Sequence, residues 1–373
     1  MTLIGSVLAL LAAGYGFVAW LAVSVIRPPR TQGCHRPPVS VLKPLCGAEP
    51  RLYENLRSFC AQDYPEFQLV CGVQEGDDPA IAVVHRLARE FPGLSLELVI
   101  DPSRHGSNHK VSNLINILGR CRYEHLVLAD SDIAVGADYL AQVVAPLADP
   151  SVGVVTCLYR GRPTGGIWSR LGALFIDDWF APSVRVAHAF GSRDFAFGAT
   201  LALRRATLIA VGGFQAIADQ LADDYWLGAL TRRLGLRTVL SDYLVTTDVA
   251  ETSLGALCAH ELRWLRTIRS IQPIGFAFCF ITFGLPVACT ALLLAPSAPT
   301  VQVGAGLTLL FRLLLHLAQR QRAGGSRFSE LWLVVPRDFL SFALWCTSFA
   351  GRRVLWGRRR LLVEADGLLR ETA

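Results

Sequence analysis

Lysine is nearly absent from this chain of 373 residues, and charged residues of all kinds make up only 18% of it. Lys43 and Lys110 are the only two lysines, so arginine supplies almost all the positive charge behind the formal net charge of +6. The arginines cluster beside apolar segments, which favours anionic lipid headgroups or a nucleotide diphosphate as partners. No nucleic-acid partner is predicted.

The ten cysteines lack the spacings that bind metals or form disulfide frameworks. No Cys-x-x-Cys pair and no Cys/His ligand pattern occurs, which argues against a zinc site. We expect the cysteines to act as small apolar side chains in a reducing compartment.

Hydrophobic residues make up 52% of the chain, and many of them lie in long uncharged runs. Leu3 to Ile26 is uncharged and long enough to cross a hydrocarbon core of about 30 Å. Arg27, Arg30 and Arg36 follow it, so the positive-inside rule predicts a cytoplasmic location for the chain beyond this anchor. A cleaved signal peptide is the alternative, but no basic region precedes the run and the run is too long.

Two further stretches near the C-terminus can span a membrane. Ile271 to Ala295 is uncharged, and Thr300 to Gln319 is apolar except for Arg312 and His316. Arg320, Arg322 and Arg327 then predict a return to the cytoplasm. Leu331 to Ala350 is interrupted by Pro336-Arg337-Asp338 and is predicted to be re-entrant or interfacial, because charge in mid-bilayer is costly.

Between the anchor and these stretches, short apolar runs alternate with amphipathic segments. The predicted strands are Val39 to Pro44, Gln68 to Val73, Leu96 to Ile100, Leu126 to Ala129 and Val152 to Cys157, and the predicted helices are Leu52 to Ala61, Ala80 to Phe91 and Lys110 to Leu118. This alternation predicts an α/β domain whose parallel sheet is covered on both faces. The chain then divides into a transmembrane anchor (residues 1–30), this domain (37–250), an amphipathic interfacial helix (251–270), membrane segments (271–350) and a basic cytoplasmic tail (351–373).

Polar residues follow the predicted strands, where a parallel sheet binds its ligands. They are Asp77 and Asp78 after the second strand, Lys110 and Asn113 after the third, and Asp130 and Asp132 after the fourth. In extended chain Asp130 and Asp132 project the same way, which suits Mg²⁺ or Mn²⁺ with a diphosphate completing the shell. A solvated turn is the alternative for an isolated Asp-x-Asp.

Two later motifs also have a structural and a functional interpretation. Asp223 and Asp224 open a helix that runs through Arg233, where they are either capping residues or a catalytic base facing a sugar. Residues 253–270 predict an amphipathic helix carrying His260-Glu261-Leu262-Arg263-Trp264. It is either a basic interfacial helix anchored by Trp264 or part of the site.

In this order the motifs resemble a family 2 type glycosyltransferase of the GT-A fold, which is Rossmann-like with a mostly parallel sheet, and more closely the ceramide glucosyltransferase family (family 21) over nearly the whole chain. The matching stretches are Val73 to Ala80, Asn108 to Asn113, Asp130-Ser131-Asp132, Ala222 to Tyr225 and Arg263-Trp264. Within that family the chain is most similar to bacterial hopanoid-pathway members, in stretches such as Thr156 to Gly165. The resemblance implies a multi-pass protein of the cell inner membrane with a cytoplasmic catalytic domain.

The resemblance also implies roles for the site residues. Asp224 would be the general base, and Asp130 and Asp132 would hold Mg²⁺ or Mn²⁺ on the diphosphate of a UDP-sugar. Asp78 and Lys110 would bind the donor. Arg263 would approach the leaving diphosphate, with Trp264 beside the acceptor or sugar.

Three departures from the family pattern bear on the acceptor lipid. His260 stands where the broad motif has Gln or Arg, Ala181 stands where animal ceramide members have His, and Asp132 stands where they have Gly. The resemblance therefore implies transfer of N-acetylglucosamine to bacteriohopanetetrol, with ceramide glucosylation as the alternative. A processive polysaccharide synthase is more distant, because three spans offer little for a pore. A transporter or structural membrane protein would not explain the block of about 210 residues with acids at its strand ends.

Overall fold

The computed structural model describes residues 1–25, 35–47, 49–324, 328–356, 359–364 and 367–371. Ile26, Arg27, Arg30 and Arg327, on which the topology prediction partly depends, lie outside the described residues. The chain forms two units, each built from separate segments. The sheet unit comprises Pro28–Tyr159 and Arg193–Asp248, and the helical unit comprises Met1–Arg27, Arg160–Ser192 and Val249–Ala373.

Strands and helices alternate through the first half of the chain, as predicted. The strands are β1 (Val39–Pro44), β2 (Phe67–Val73), β3 (Ser95–Ile100), β4 (His125–Leu128), β5 (Ile133–Ala134), β6 (Val152–Pro163), β7 (Leu201–Arg204), β8 (Arg237–Val249), β9 (Arg353–Trp356), β10 (Arg359–Val363) and β11 (Leu369–Glu371). The helices are α1 (Thr2–Ser24), α2 (Leu52–Cys60), α3 (Ala80–Glu90), α4 (His109–Leu118), α5 (Tyr139–Val144), α6 (Ile167–Phe175), α7 (Ala181–Ala189), α8 (Arg205–Ala210), α9 (Asp223–Arg233), α10 (Leu254–Ile271), α11 (Pro273–Phe278), α12 (Gly284–Leu294), α13 (Pro299–Arg322) and α14 (Val334–Ser348). One turn of π-helix, Ile176–Phe180, joins α6 to α7.

The sheet unit is organised around one eight-stranded sheet with the order β3-β2-β1-β4-β7-β6-β8-β5. Side chains of its parallel strands alternate between two apolar cores, because successive residues of a strand point to opposite faces. Val41 of β1 joins the core that α2 and α3 cover, whereas Leu42 joins the core that α4 covers. The predicted α/β class, with helices on both faces, is confirmed.

The second half of the sheet is antiparallel, which differs from the prediction. Strands β3, β2, β1 and β4 pair in parallel, but β7 runs antiparallel to both β4 and β6. A parallel pair needs a crossover connection, usually a helix packed on the sheet. The chain between β6 and β7 instead passes through residues 160–192 of the helical unit. The sheet is therefore mixed.

Among the described residues, two helices are long and apolar enough to cross a membrane, namely α1 and α13. They coincide with two of the predicted spans. The third predicted span, Ile271 to Ala295, is not one straight helix, because α11 with the short turn after it meets α12 at a bend of 71°. This broken pair makes either a third span or a re-entrant loop.

Small residues let α1 and α13 approach closely. A Cβ atom added to Gly304 would lie 2.8 Å from the Cβ atom of Ala9, and the hydroxyls of Ser6 and Thr300 are 2.7 Å apart. Small side chains and polar contacts are the usual means by which membrane helices associate. The first helix of the chain is thus packed against one of its last.

Charged residues inside the predicted membrane segments are paired with one another. Arg312 of α13 lies 2.8 Å from both carboxylate oxygens of Asp338 on α14. Arg337, the other charge that interrupts Leu331 to Ala350, is buried and binds both carboxylate oxygens of Glu261 on α10. The interrupting charges therefore tie helices together.

We expect Arg337→Met to destabilise the helical unit by about 3–5 kcal/mol, because it leaves the Glu261 carboxylate buried without a counter-charge. The measurement is thermal or denaturant unfolding in detergent micelles. The double variant Arg337→Met with Glu261→Met should recover most of the loss. Breaking an exposed pair with Arg57→Met, whose guanidinium lies 2.6 Å from Glu90, should cost much less stability. An equal effect for the buried and exposed pairs would contradict the assignment.

The C-terminal segment, interpreted from sequence as a basic tail, contains a three-stranded antiparallel sheet in the order β11-β10-β9. Arg269 of α10 donates a hydrogen bond to the carbonyl of Ser348, the last residue of α14, and Arg266 and Arg269 also donate to the carbonyls of Ala350 and Gly351 just beyond it. The Ser348 carbonyl is one of those that the end of a helix leaves without a partner.

Candidate active site

The candidate site begins at the carboxyl end of β4, where the parallel strands present their ends. Strand β4 stops at Leu128, and Ser131 and Asp132 form a turn. The prediction that the chain through Asp130 and Asp132 is extended is therefore wrong. Burial raises the pKa of Asp132, and the charge of Asp130 raises it further.

Hydrogen bonds between two loops bring Lys110 and the Asp223-Asp224 pair to the same place. Asn108 caps α4 by accepting a hydrogen bond from the backbone N–H of Val111, and its side-chain amide donates to the carbonyl of Gln220 at 2.7 Å. The backbone N–H of Ser107 donates to a carboxylate oxygen of Asp219. The start of α4 and the start of α9 are thus held together.

Lys110 links the two acidic motifs directly. Its Nζ atom lies 2.7 Å from Oδ1 of Asp130 and 3.1 Å from Oδ2 of Asp223. Burial alone would lower the pKa of Lys110, but the charges of Asp130, Asp223 and Asp224 raise it above its usual range. Lys110 is therefore a fixed positive charge in the site.

Asp223 and Asp224 have different partners although they are adjacent. Asp223 is buried against Lys110. Asp224 accepts hydrogen bonds from the backbone N–H of Gly198 and from that of Tyr225, both at 2.7 Å. Burial, together with the charge of Asp223, raises the pKa of Asp224 to about 6. A carboxylate with such a pKa can accept a proton near neutral pH.

Gly198 lies among these charges, where a side chain would intrude. A Cβ atom added there would lie 3.0 Å from Oδ2 of Asp130, 3.1 Å from Nζ of Lys110 and 3.5 Å from Oδ2 of Asp224. The absence of a side chain lets its backbone N–H approach Asp224.

Three residues of this region were not found by sequence reasoning. Lys43 is buried, donates to the backbone carbonyl of Asp130 and lies over the ring of Phe59. Burial lowers the pKa of Lys43 to about 8, against the charges of Asp130 and Asp132. The signal for Lys43 in the sequence was its position as a lysine within an otherwise apolar predicted strand.

Thr247 and Glu49 are the other two. The Thr247 hydroxyl donates to Oδ2 of Asp132 at 2.7 Å. Burial and the charge of Asp132 raise the pKa of Glu49 to about 7. Neither residue belongs to a motif, so no pattern in the sequence points to them.

The other predicted donor-binding acid, Asp78, ties two backbone segments together. Its carboxylate accepts from the backbone N–H of Gly47 at 2.9 Å and from that of Ala80 at 2.8 Å. Asp78 therefore fixes the loop after β1 to the start of α3. Its donor-binding role stays a prediction.

Arg263 and Trp264 lie on α10 in the helical unit. The Trp264 ring centroid is 4.7 Å from that of His260 and 6.1 Å from that of Phe175. His260 in turn hydrogen-bonds Glu251. Burial opposes ionisation of Glu251, but this hydrogen bond and the charges of His260 and Arg263 hold its pKa below the usual range. The catalytic roles of Arg263 and Trp264 stay predictions.

The donor set around Asp130 and Asp132 fits a hard divalent cation. The region combines five carboxyl groups, from Glu49, Asp130, Asp132, Asp223 and Asp224, with two lysines, and the mutual repulsion of Asp130 and Asp132 is what a cation would relieve. Across the described ranges, no group of three or more His, Cys, Asp or Glu side chains is arranged to hold a metal alone. A diphosphate would have to complete the shell.

Comparison with known proteins gives a match over nearly the whole chain. The family model described as glycosyl transferase family 21 matches residues 4–369. Ceramide glucosyltransferase 1 of Caenorhabditis elegans is 25% identical over 239 residues, covering 64% of this chain and 51% of the relative. The ceramide glucosyltransferase of Komagataella phaffii is 30% identical over 156 residues, covering 39% of this chain and 30% of the relative. This chain spans about half the length of the first curated relatives that it matches.

Among solved structures, a mannosyltransferase from Pyrobaculum calidifontis in complex with GDP-Man and Mn²⁺ is similar over most of its length. The TM-score is 0.56 at 22% identity, covering 93% of this chain and 97% of that chain. This likeness concerns the fold, and it confirms the predicted GT-A fold.

Proposed function

Because this chain belongs to glycosyl transferase family 21, we propose that it transfers a sugar from a UDP-sugar to a hydroxyl group of a membrane lipid. Family membership agrees with the resemblance inferred from the motifs and with the predicted class of enzyme, a glycosyltransferase. The observation that carries the proposal is the cluster of Lys110, Asp130, Asp223 and Asp224 at the carboxyl edge of the sheet.

The reaction would be a direct displacement at the anomeric carbon. The lipid oxygen forms a bond to this carbon while the bond to the UDP oxygen breaks, and the lipid hydroxyl loses its proton. Asp224 is the base that takes this proton, because its pKa of about 6 leaves it ionised yet basic at neutral pH. The backbone N–H of Gly198 and the helix start orient its carboxylate.

The remaining residues would bind the UDP-sugar donor and stabilise the negative charge of its diphosphate. Asp130 and Asp132 hold a divalent cation, which when bound neutralises the departing diphosphate. Lys110 adds a fixed positive charge beside Asp130. Following the family motif, Asp78 binds the uridine end, Arg263 meets the diphosphate and Trp264 offers an apolar plane.

For the acceptor, we propose bacteriohopanetetrol with UDP-N-acetylglucosamine as donor. Ala181 and Asp132 support this choice, because animal ceramide members of the family have His and Gly there. Ceramide with UDP-glucose is the second candidate, supported by the curated relatives, which are named ceramide glucosyltransferases.

One assay separates the two candidates. Membranes containing the enzyme are incubated with radiolabelled UDP-N-acetylglucosamine or UDP-glucose, with bacteriohopanetetrol or ceramide added in turn, and the labelled lipid is identified. Label in bacteriohopanetetrol from UDP-N-acetylglucosamine supports the first candidate. Label only in ceramide selects the second, and label in a polymer would refute both.

We also propose an inner-membrane location with the sheet unit in the cytoplasm, supported by the arginines after Ile26 and Gln319. A reporter enzyme active only in the periplasm, fused after Ala250, should therefore be inactive. A reporter active only in the cytoplasm should be active at the same position. Activity of the periplasmic reporter there would overturn the orientation.

A further inference from the structure

A small, partly open cavity of about 30 Å³ lies within the helical unit. Its wall is formed by residues of α1, the π-helical turn, the break between α11 and α12, α13 and α14. The residues that line this wall include Tyr15, Asp178, Trp179, Phe283, Arg312 and Asp338. One part of the wall is aromatic and another is charged.

The charged part leaves one carboxylate oxygen without a partner. Oδ2 of Asp178 accepts from Arg312 at 3.2 Å and from Nδ1 of His316 at 2.7 Å. Oδ1 of the same buried carboxylate has no hydrogen-bond partner among the residues that the structure describes. A buried charged oxygen left unpaired lowers stability, so such groups usually meet a donor.

The neighbouring charges indicate what kind of donor fits. Arg312 already directs Nη1 to Asp178 and both Nε and Nη2 to Asp338. A phosphate is disfavoured here, because it would be repelled by two carboxylates. The Arg312 guanidinium could not offset this repulsion, since all three of its nitrogens already bind Asp178 or Asp338. A neutral hydroxyl can donate to Oδ1 without bringing a further charge into the cavity.

The aromatic part of the cavity is suited to a lipid. Trp179 stacks on Phe283 at 5.4 Å with an angle of 8° between the rings, and its Nε1–H donates to the hydroxyl of Thr282. Thr282 and Phe283 lie at the 71° bend between α11 and α12, and both candidate membrane spans, α1 and α13, contribute to the wall. A lipid could reach this place from the membrane with its apolar part against aromatic rings.

We propose that this cavity binds the hydroxylated end of a membrane lipid, with Oδ1 of Asp178 accepting a hydrogen bond from a lipid hydroxyl. The identification of that lipid with the acceptor rests on the proposed function. Asp178 acts here as a binding residue for the lipid.

The first test is independent of catalysis. The full-length protein in nanodiscs is photolabelled with three diazirine-bearing lipids, namely bacteriohopanetetrol, ceramide and phosphatidylcholine, and the modified peptides are mapped. Labelling of α13 or of residues 176–180 by a hydroxylated probe, competed by the same unlabelled lipid, supports the site. Equal labelling by phosphatidylcholine, or none at these peptides, overturns it and leaves the cavity to water.

The second test uses cavity variants with matched controls. Asp178→Asn keeps the shape of the side chain but replaces one acceptor oxygen with an amide N–H₂ donor. It should therefore raise the KM for the acceptor lipid about tenfold or more, while the KM for the UDP-sugar donor stays unchanged. Asp177→Asn is the control, because Asp177 pairs with Arg320 and does not line the cavity. Thr308 of α13 also lines the cavity. Thr308→Leu should fill the cavity and abolish competed labelling, whereas Thr308→Val, of the original size, should retain it.

The outcomes distinguish failure of this inference from failure of the proposed function. Wild-type protein that transfers no sugar to either lipid, yet shows competed labelling, would refute the proposed function and leave the lipid site standing. Normal transfer with an unchanged acceptor KM in Asp178→Asn would overturn the site alone. Unfolding temperatures of each variant in nanodiscs identify any that misfold, and for those the photolabelling of wild type decides.

Discussion

Replacing Asp224 by Asn should reduce turnover by about 10²- to 10⁴-fold while UDP-sugar binding and folding are retained. The amide cannot take the proton of the lipid hydroxyl, but it can still accept the hydrogen bond from the backbone N–H of Gly198 that orients the side chain. The measurement is kcat in membranes or nanodiscs, with donor affinity determined separately by titration. Binding should change little because the donor does not depend on the base.

Asp223→Asn is the matched control, because its side-chain oxygen can still accept from Lys110. It should cost much less than Asp224→Asn. A severe loss in Asp223→Asn with near wild-type turnover in Asp224→Asn would reverse the two roles.

The same base sets an expected pH dependence. Asp224 must be ionised to act, and its pKa is raised to about 6, so turnover should fall as the pH drops through about 6. The residual activity of Asp224→Asn should lack this acidic limb. A wild-type profile that stays flat down to pH of about 4, near the ordinary carboxyl pKa, would contradict the assignment.

Asp132→Asn should lower turnover by about 10²- to 10³-fold, because it removes one of the two carboxylates expected to hold the cation beside the diphosphate. Chelation by EDTA should have a similar effect on the wild type, and added Mn²⁺ or Mg²⁺ should restore it. Asp101→Asn is a suitable control, since Asp101 follows β3 and hydrogen-bonds the backbone N–H of Ser103. Full activity of the wild type in EDTA would refute the metal assignment.

The local elements of the sheet unit could be predicted because their signals are local. Strand β1 has the predicted bounds, Val39–Pro44, and α4 begins within one residue of Lys110. Apolar periodicity determines which face of a strand or helix is buried, and it is read within a few residues. Strand direction in the second half of the sheet depends on the path of the chain between β6 and β7. Apolar periodicity is a local property and does not predict that path.

The predicted site residues also differ in how far the sequence could place them. Lys110 and Asp223 are near each other because the Asn108 and Gln220 loops are joined, a contact between residues 112 positions apart. From sequence, Arg337 and Asp338 only interrupt the apolar run Leu331 to Ala350, since their partners, Glu261 and Arg312, cannot be identified from spacing alone. Pairing of buried charges is a tertiary property, and the sequence shows only that the charges are there.

The contact between Ser6 and Thr300 has a consequence for biosynthesis. Chains are made from the N-terminus at about 5–20 residues per second, so roughly 15 to 60 s separate synthesis of the first helix from synthesis of its partner. During that interval the surface of α1 around Ala9 lacks its contact with Gly304. Completion of the helical unit is therefore a late event in translation, and a ribosome stalled before α13 would release a chain whose first helix has no partner at this surface.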